Sequence, residues 1–174
     1  APGYFSSDVL AIGTRYLQTI FDIFRLDFSA DDDFYITLMF YIRTLKGGQT
    51  IFNKQGNINT AKEALSAELE IAWLFQGIAQ EQFGHLLSET ELIYLAHCIS
   101  GALEFYFVTH PEKKLRTVLC CHRNMPSAWA LKRKVLGAFS NYLDITDLIP
   151  VNTKSAFDFS HTDLILSTVN QMGQ

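Results

Sequence analysis

A capped apolar segment at residues 88–106, SETELIYLAHCISGALEFY, constrains the fold of this chain more than any other stretch. Ser88 and Glu91 have the spacing of a capping box, in which each side chain accepts a hydrogen bond from the other residue's backbone N–H. The apolar residues that follow at helical spacing are Leu92, Leu95, Ala96, Ile99, Leu103 and Tyr106. The segment therefore predicts a long helix with one face buried in a core.

His97 lies off this predicted buried stripe and is the first candidate functional residue. The residues that share its face are Ile93, Ser100, Gly101 and Glu104. Small residues there would let another protein approach the helix closely, and histidine changes charge near neutral pH. A single histidine on a helix is, however, more often an ordinary surface residue than a functional one.

Three further segments in the first half of the chain predict helices. Residues 7–25, 34–45 and 60–83 carry helical patterns, the last of them broken near Ser66. Three aspartates precede the second segment, where the dipole of a helix favours negative charge. The polar residues 49–59 predict a loop. Together with the capped segment, these elements predict an antiparallel bundle of four or five helices with short connections.

The second half of the chain has a different pattern. Residues 115–121, 145–151 and 164–169 are short runs rich in apolar and β-branched side chains, as in buried strands. A Pro-Ser pair suits the entry to a helix over residues 128–139. Strands that alternate with a helix predict a parallel sheet. The predicted fold class is therefore α+β overall, with an antiparallel helical bundle followed by a small α/β domain.

Charge divides the chain at the same place. Residues 1–112 hold 6 basic and 14 acidic side chains, a balance of −8, whereas residues 113–174 hold 8 basic and 4 acidic, a balance of +4. This change of sign predicts a boundary between two domains, 1–112 and 113–174. The net charge of −4 argues against direct binding of nucleic acid, because duplex binding needs clustered Lys and Arg.

Composition indicates a compartment and an assembly state. Three cysteines, two of them adjacent, make a poor disulfide framework and favour a reducing environment. The apolar runs are too short and too interrupted to span a bilayer, and no leader pattern opens the chain. We therefore expect a cytoplasmic protein without membrane association. Charged residues make up 18% of the chain, against about 25% on average, which favours surfaces buried between subunits.

Cys121 is the second candidate functional residue. It falls where the first predicted strand ends, and the next helix begins close behind it. His122, Arg123 and Ser127 lie in this connection and are candidates for an anion-binding loop. Free backbone N–H groups and a guanidinium would stabilise a phosphoryl group or a thiolate there and lower the thiol pKa. On composition alone, Cys120 and Cys121 are more often plain strand residues.

Motifs of enzymes and metal sites are missing from the sequence. Its histidines and cysteines show no spacing typical of metal ligands. It has no phosphate-binding glycine loop, no nucleophile elbow and no zinc-peptidase helix. We therefore expect no catalytic residue, no cofactor and no metal, and a protein that is not an enzyme.

Segments from both halves resemble known bacterial regulators. LMFYIRTLKGG at 38–48, ELEIAWLFQGIAQEQFG at 68–84 and SETELIYLAHCI at 88–99 resemble a phosphotransferase-system (PTS) regulation domain, or PRD. TVLCCHRNMPSAWALKRKVLGAF at 117–139 and SHTDLILSTV at 160–169 resemble the first strand, loop and helix and a later strand of enzyme IIB. The order is similar to that in BglG-type antiterminators and, more closely, in Mga-like activators. Later IIB strands and the family's DNA-binding module are missing, so we expect a fragment.

The resemblance implies regulation by phosphate. In the family, PTS phosphocarrier proteins phosphorylate histidines of the PRD and thereby change dimer contacts. The histidine of the family's second helix falls on Tyr41 here, and that of the last helix falls on Cys98, one residue after His97. One residue turns a side chain by about 100° on a helix. In the second half, Cys121 matches the family's phosphocysteine, but HRNMPSA replaces the usual glycine-containing loop.

Three functions are compatible with these observations. The leading hypothesis is a signal-input and dimerisation region of a bacterial transcription regulator, a homodimer that PTS phosphorylation controls through His97. Such a chain reaches DNA only through a module that it does not itself contain. The first alternative is an enzyme IIB-type phosphocarrier that uses Cys121. The second is a purely structural dimerisation module, which needs no titratable residue.

Overall fold

Helices and strands are segregated along the chain. The computed structural model describes residues 4–48, 58–122 and 125–168. Its contacts divide the chain into two units, Ala1–Tyr106 and Phe107–Gln174. The first unit is helical, and the second contains a small sheet, so the α+β fold class is confirmed. The division falls six residues before the boundary predicted from charge, within the last turn of a helix.

The described part of the first unit contains six helices. They are α1 (Ser7–Phe24), α2 (Asp32–Lys46), α3 (Ile58–Ala64), α4 (Ser66–Trp73), α5 (Phe75–Phe83) and α6 (Glu89–Thr109), whose last three residues belong to the second unit. The predicted break at Ser66 is confirmed, and a second break at Leu74 was not predicted. Residues 49–57 of the predicted loop lie outside the described residues. Ile58 and Asn59 belong to α3, so the loop prediction is wrong for these two.

Local capping fixes where the helices begin and end. The capping box is confirmed, because the Ser88 N–H donates to Glu91 Oε2 at 2.6 Å and the Glu91 N–H donates to Ser88 Oγ at 3.3 Å. Asp31 caps α2, since its Oδ1 accepts the Phe34 N–H at 2.9 Å. Gly84, with a φ of 78°, ends α5 in a left-handed conformation that suits glycine.

Three buried rings form the centre of the first unit. Phe75 lies between Tyr16 and Tyr41, with ring centroids 5.0 Å and 6.1 Å away and edge-to-face geometry. The Tyr16 hydroxyl donates to the Ile71 carbonyl at 2.9 Å, which satisfies its polar end inside the core. These contacts join α1 and α2 to α4 and α5.

The buried face of α6 is the one predicted from its apolar spacing. Its buried residues are Leu92, Leu95, Ala96, Ile99, Ala102, Leu103 and Tyr106. Within the described residues, α6 alone is long and apolar enough to cross a bilayer, with a mean hydropathy of 1.4 over 18 residues. The prediction that every apolar run is too short is therefore wrong. The core helices of soluble proteins meet the same criteria, and the buried face of α6 is consistent with that role.

The second unit is built around one central strand. Its elements are β1 (Leu115–Cys121), α7 (Met125–Phe139), β2 (Leu143–Pro150) and β3 (Leu164–Ser167), with short 3-10 turns at Pro111–Lys113 and Val151–Ala156. Strand order is β2-β1-β3 and both pairings are parallel, which confirms the predicted sheet. The predicted end of the third strand, Val169, lies outside the described residues. Parallel pairing brings the carboxyl ends of all three strands to one edge.

A small apolar core lies under α7. It contains Leu119 and Cys121 of β1, Ala128 of α7 and Ile145 of β2. Side chains alternate between the two faces along a strand, so Leu119 and Cys121 point to the same side of the sheet. Cys121 therefore belongs to the core on the α7 side.

Candidate functional site

His97 lies at a cleft of about 320 Å³ between α2 and α6. Its ring is exposed, as predicted from its position off the apolar stripe. The residues that line this α2–α6 cleft are Asp31, Asp33, Phe34, Thr37, His97, Cys98, Gly101, Ala102 and Phe105. An exposed imidazole thus borders a partly apolar hollow, and a partner protein could reach it from solvent.

The α2 side of the cleft is acidic. Asp31 is buried with 8% of its surface exposed and caps α2, whereas Asp33 in the first turn is exposed. The N-terminus of α2 carries a partial positive charge, which these carboxylates already offset. A negative charge added at His97 would therefore lie at the same cleft as the Asp33 carboxylate.

Cys98 and Tyr41, onto which the sequence resemblance placed the PRD histidines, are both constrained by burial. Burial raises the pKa of the half-buried Cys98 thiol to about 11. Burial also raises the pKa of Tyr41, whose hydroxyl donates to the Glu91 carbonyl at 3.1 Å while its ring stacks on Tyr94. Tyr41 therefore links α2 to α6. His97, one residue before the half-buried Cys98, has an exposed imidazole.

A buried amide holds the connection that leads into α6. Gln76 on α5 is buried, and its Oε1 accepts the Leu87 N–H at 2.7 Å. Its Nε2 donates to the Leu87 carbonyl at 3.2 Å. Both backbone polar groups of Leu87 are thus satisfied by one side chain, directly before the Ser88 cap. No signal in the sequence identified this positioning residue, because a glutamine within a helix carries no mark of burial.

The structure places Cys121 in the core and not in an open loop. Only 4% of its surface is exposed, and it packs with Leu119 and Ala128. Burial raises the pKa of its thiol, and the neighbouring Cys120 raises it further. The predicted lowering of the thiol pKa is therefore wrong, because desolvation of the thiolate decides its direction.

The predicted anion-binding loop has only some of its parts in the described structure. His122 is exposed, but its backbone N–H donates to Thr168 Oγ1 at 3.0 Å and is not free to bind an anion. Ser127 is half-buried in the first turn of α7, and the preceding Pro126 has no N–H to offer. Arg123 lies outside the described residues. The backbone N–H of His122 is thus already hydrogen-bonded at the edge of the sheet and cannot contribute to an anion site.

Alkylation of Cys121 tests this placement. At pH 8 we expect iodoacetamide to modify Cys121 at least about tenfold more slowly in the folded chain than in urea, because a raised pKa leaves less thiolate and burial blocks access. Since the pKa is raised, the rate should climb above pH 9 and not level off below it. Peptide mass spectrometry in a Cys120→Ser background would follow the single site. A folded chain that reacts as fast as the urea-unfolded one would contradict the burial of this thiol.

Metal binding has no support in the described part of the chain. No group of three or more His, Cys, Asp or Glu there is arranged to hold a metal ion. None of the three cysteines forms a disulfide. His97 and Asp33 line the same cleft, but they provide too few ligands for a closed metal site.

Comparison with known protein families, with curated proteins and with solved structures finds no match for this chain.

Proposed function

We propose that this chain is the signal-input and dimerisation region of a bacterial transcription regulator, and that His97 accepts phosphate from a PTS phosphocarrier protein. The observation that carries the proposal is the exposed His97 ring at the α2–α6 cleft, which Asp33 also lines. The PRD-like segments at 38–48, 68–84 and 88–99 lie in and around the helices that build or support this cleft. Their resemblance to a PRD supplies the class of regulator.

Phosphate transfer to His97 requires only access and a neutral ring. A lone pair of the imidazole attacks phosphorus of the carrier's phosphohistidine, the P–N bond of the carrier breaks, and its electrons return to the carrier's ring. The attacking ring of His97 then carries the phosphoryl group and loses its N–H proton, the carrier's ring takes up a proton, and no cofactor takes part. Gly101, one helical turn further along α6, is exposed and has open space where a side chain would stand. The chain acts here as an acceptor and not as an enzyme.

The phosphoryl group would change the charge of the cleft and so its contacts. Phosphorylation adds about 1.5 to 2 negative charges and strong acceptor oxygens. Asp33 would then repel the modified His97 across the α2–α6 cleft, while any cation brought by a partner would bind more strongly. A switch of this kind needs only a few kcal/mol between two arrangements of an interface.

The second unit has a supporting role in this proposal. The core position of Cys121 and its raised pKa favour a degenerate IIB-like module over a working phosphocarrier, because a buried thiol is a poor nucleophile. The unit would contribute an interaction surface in a cytoplasmic homodimer. DNA would be reached through a module outside this chain.

Phosphate transfer from phosphoenolpyruvate and the general PTS proteins tests the proposal. We expect intact-mass measurement at neutral pH to show a gain of one phosphoryl group on the wild-type chain, and none on His97→Ala. His85→Ala is the matched control, because His85 is also exposed and should be dispensable. A control carrier must be phosphorylated in the same mixture.

Other outcomes would assign the function differently. A phosphoryl group that persists in His97→Ala and disappears in Cys121→Ser would overturn the proposal in favour of the IIB-type phosphocarrier. No mass gain, with the control carrier phosphorylated, would leave the purely structural dimerisation module. His97→Asp, which adds one negative charge, should also alter the sedimentation profile if the cleft controls self-association.

A further inference from the structure

The outer side of α7 presents a cationic and aromatic surface that the sheet does not use. Its exposed residues are Trp129, Ala130, Arg133, Lys134 and Gly137, which we call the basic face. Trp129 is 54% exposed, although a tryptophan ring is usually largely buried. The residues of α7 that pack on the sheet core are Ala128, Leu131, Val135 and Leu136. The basic face is therefore free of the unit's own core.

Lys132 borders the basic face and contacts both the sheet and Trp129. Its Nζ donates to the Ile145 carbonyl at 3.1 Å and lies 6.0 Å from the centroid of the Trp129 ring. A cation at this distance from the centroid of an indole ring is attracted to the face of the ring. Tryptophan and arginine are the side chains most often found to dominate the energy of protein interfaces. Trp129 and Arg133, one helical turn apart, are thus side chains of the kind that anchors a protein interface.

The α2–α6 cleft has the complementary chemistry. Phe105 gives it an exposed apolar wall, and Asp33 gives it negative charge, whereas Phe34 is buried beside them. Phe105 is 45% exposed, which leaves apolar surface for a partner to cover. The whole first half of the chain is acidic, whereas the second half is basic. Opposite potentials on two surfaces favour their association and set its orientation.

We infer that the basic face of α7 in one copy of the chain docks into the α2–α6 cleft of a second copy. The Trp129 ring lies against the exposed Phe105 in this arrangement, and Arg133 pairs with Asp33. Each copy carries both surfaces, and in a dimer with a twofold axis the contact would be made twice. The acidic cleft fits a cationic helix. A nucleic acid fits the chain less well, because it is negatively charged and the chain has a net charge of −4.

This inference rests on the proposed function in one respect, the effect of phosphate. A phosphoryl group on His97 would lie at the docked helix, where Arg133 and Lys134 of the second copy can bind its oxygens. Phosphorylation would therefore tighten the dimer. The docking itself needs no phosphate, because the Asp33 carboxylate and the exposed Phe105 ring are present in the unmodified chain.

Reversal of the paired charges tests the docking in the unphosphorylated chain. We expect sedimentation equilibrium to show that Arg133→Glu and Asp33→Lys each raise the dissociation constant of the dimer at least about tenfold, since each places like charges in contact. The double variant should return the dissociation constant to within about threefold of wild type, because the swapped pair attracts again. Lys113→Glu is the charge-matched control, exposed in the same unit but outside α7.

The result is independent of phosphate transfer, so it separates this inference from the proposed function. Rescue in the double variant would support the docking even if no PTS protein phosphorylates His97. A monomer at all concentrations, single variants that behave like Lys113→Glu, or a double variant as weak as the single ones would each overturn it. Circular dichroism of every variant would confirm that its helices are intact.

Discussion

Replacing Phe75 by alanine is expected to lower the free energy of unfolding of the first unit by about 3–5 kcal/mol. The ring is fully buried and contacts Tyr16 and Tyr41 edge to face, so truncation removes both contacts and leaves a cavity between helices. Neither tyrosine can collapse freely into that cavity, because each hydroxyl is hydrogen-bonded to a backbone carbonyl. Urea unfolding followed by helical circular dichroism would measure the loss.

The neighbouring Trp73 provides the matched control for this measurement. Its ring is 59% exposed, so Trp73→Ala removes a side chain of at least similar size from the same part of the chain at little cost. We expect a change within about 0.5 kcal/mol for this variant. If Phe75→Ala lost no more than Trp73→Ala, the three-ring core would not be the packing centre of the unit.

Helix boundaries could be predicted because they depend on residues that are close in sequence. The Ser88 and Glu91 pair forms the hydrogen bonds that its spacing predicts, and Gly84 ends α5 with the positive φ that glycine tolerates. The break at Leu74 had no such signal. Leu74 keeps helical backbone angles there, and no glycine or proline marks the position.

The candidate site could be predicted only in part, because its two sides come from distant parts of the chain. His97 was identified by its position off the apolar stripe of α6. Asp33 was interpreted only as a helix N-terminal charge, and nothing local indicates that it lies at the same cleft. The tertiary packing of α2 beside α6 brings them together.

Cys121 shows the opposite error, in which a plausible local pattern was outweighed by strand geometry. Its place at the end of β1 suggested an anion site with a lowered thiol pKa. Side chains alternate along β1, however, and Cys121 falls on the side that α7 covers, next to Leu119 in the core. Desolvation then raises the pKa. The face of β1 on which Cys121 lies, more than its distance from the loop, therefore determines the burial and the pKa of its thiol.

Gln76→Leu is expected to lower the free energy of unfolding of the first unit by about 2–4 kcal/mol, because it leaves two buried backbone groups of Leu87 without partners. Leucine is close to glutamine in size, so lost packing contributes little and the unpaired N–H and carbonyl dominate. Urea unfolding would measure the stability. Hydrogen exchange at the Leu87 amide should become faster, which reports directly on the loss of this contact before the α6 cap.

Gln80→Leu separates the lost hydrogen bonds from the gain of an apolar side chain, because Gln80 is exposed on the same helix one turn later. We expect this control to change stability by no more than about 0.5 kcal/mol and to leave exchange at Leu87 unchanged. If Leu87 exchanged at the wild-type rate in Gln76→Leu, the role of Gln76 in holding Leu87 would be contradicted, even if the variant were less stable. Faster exchange in Gln76→Leu alone would identify Gln76 as the residue that positions the start of α6, and with it the helix that presents His97 to the cleft.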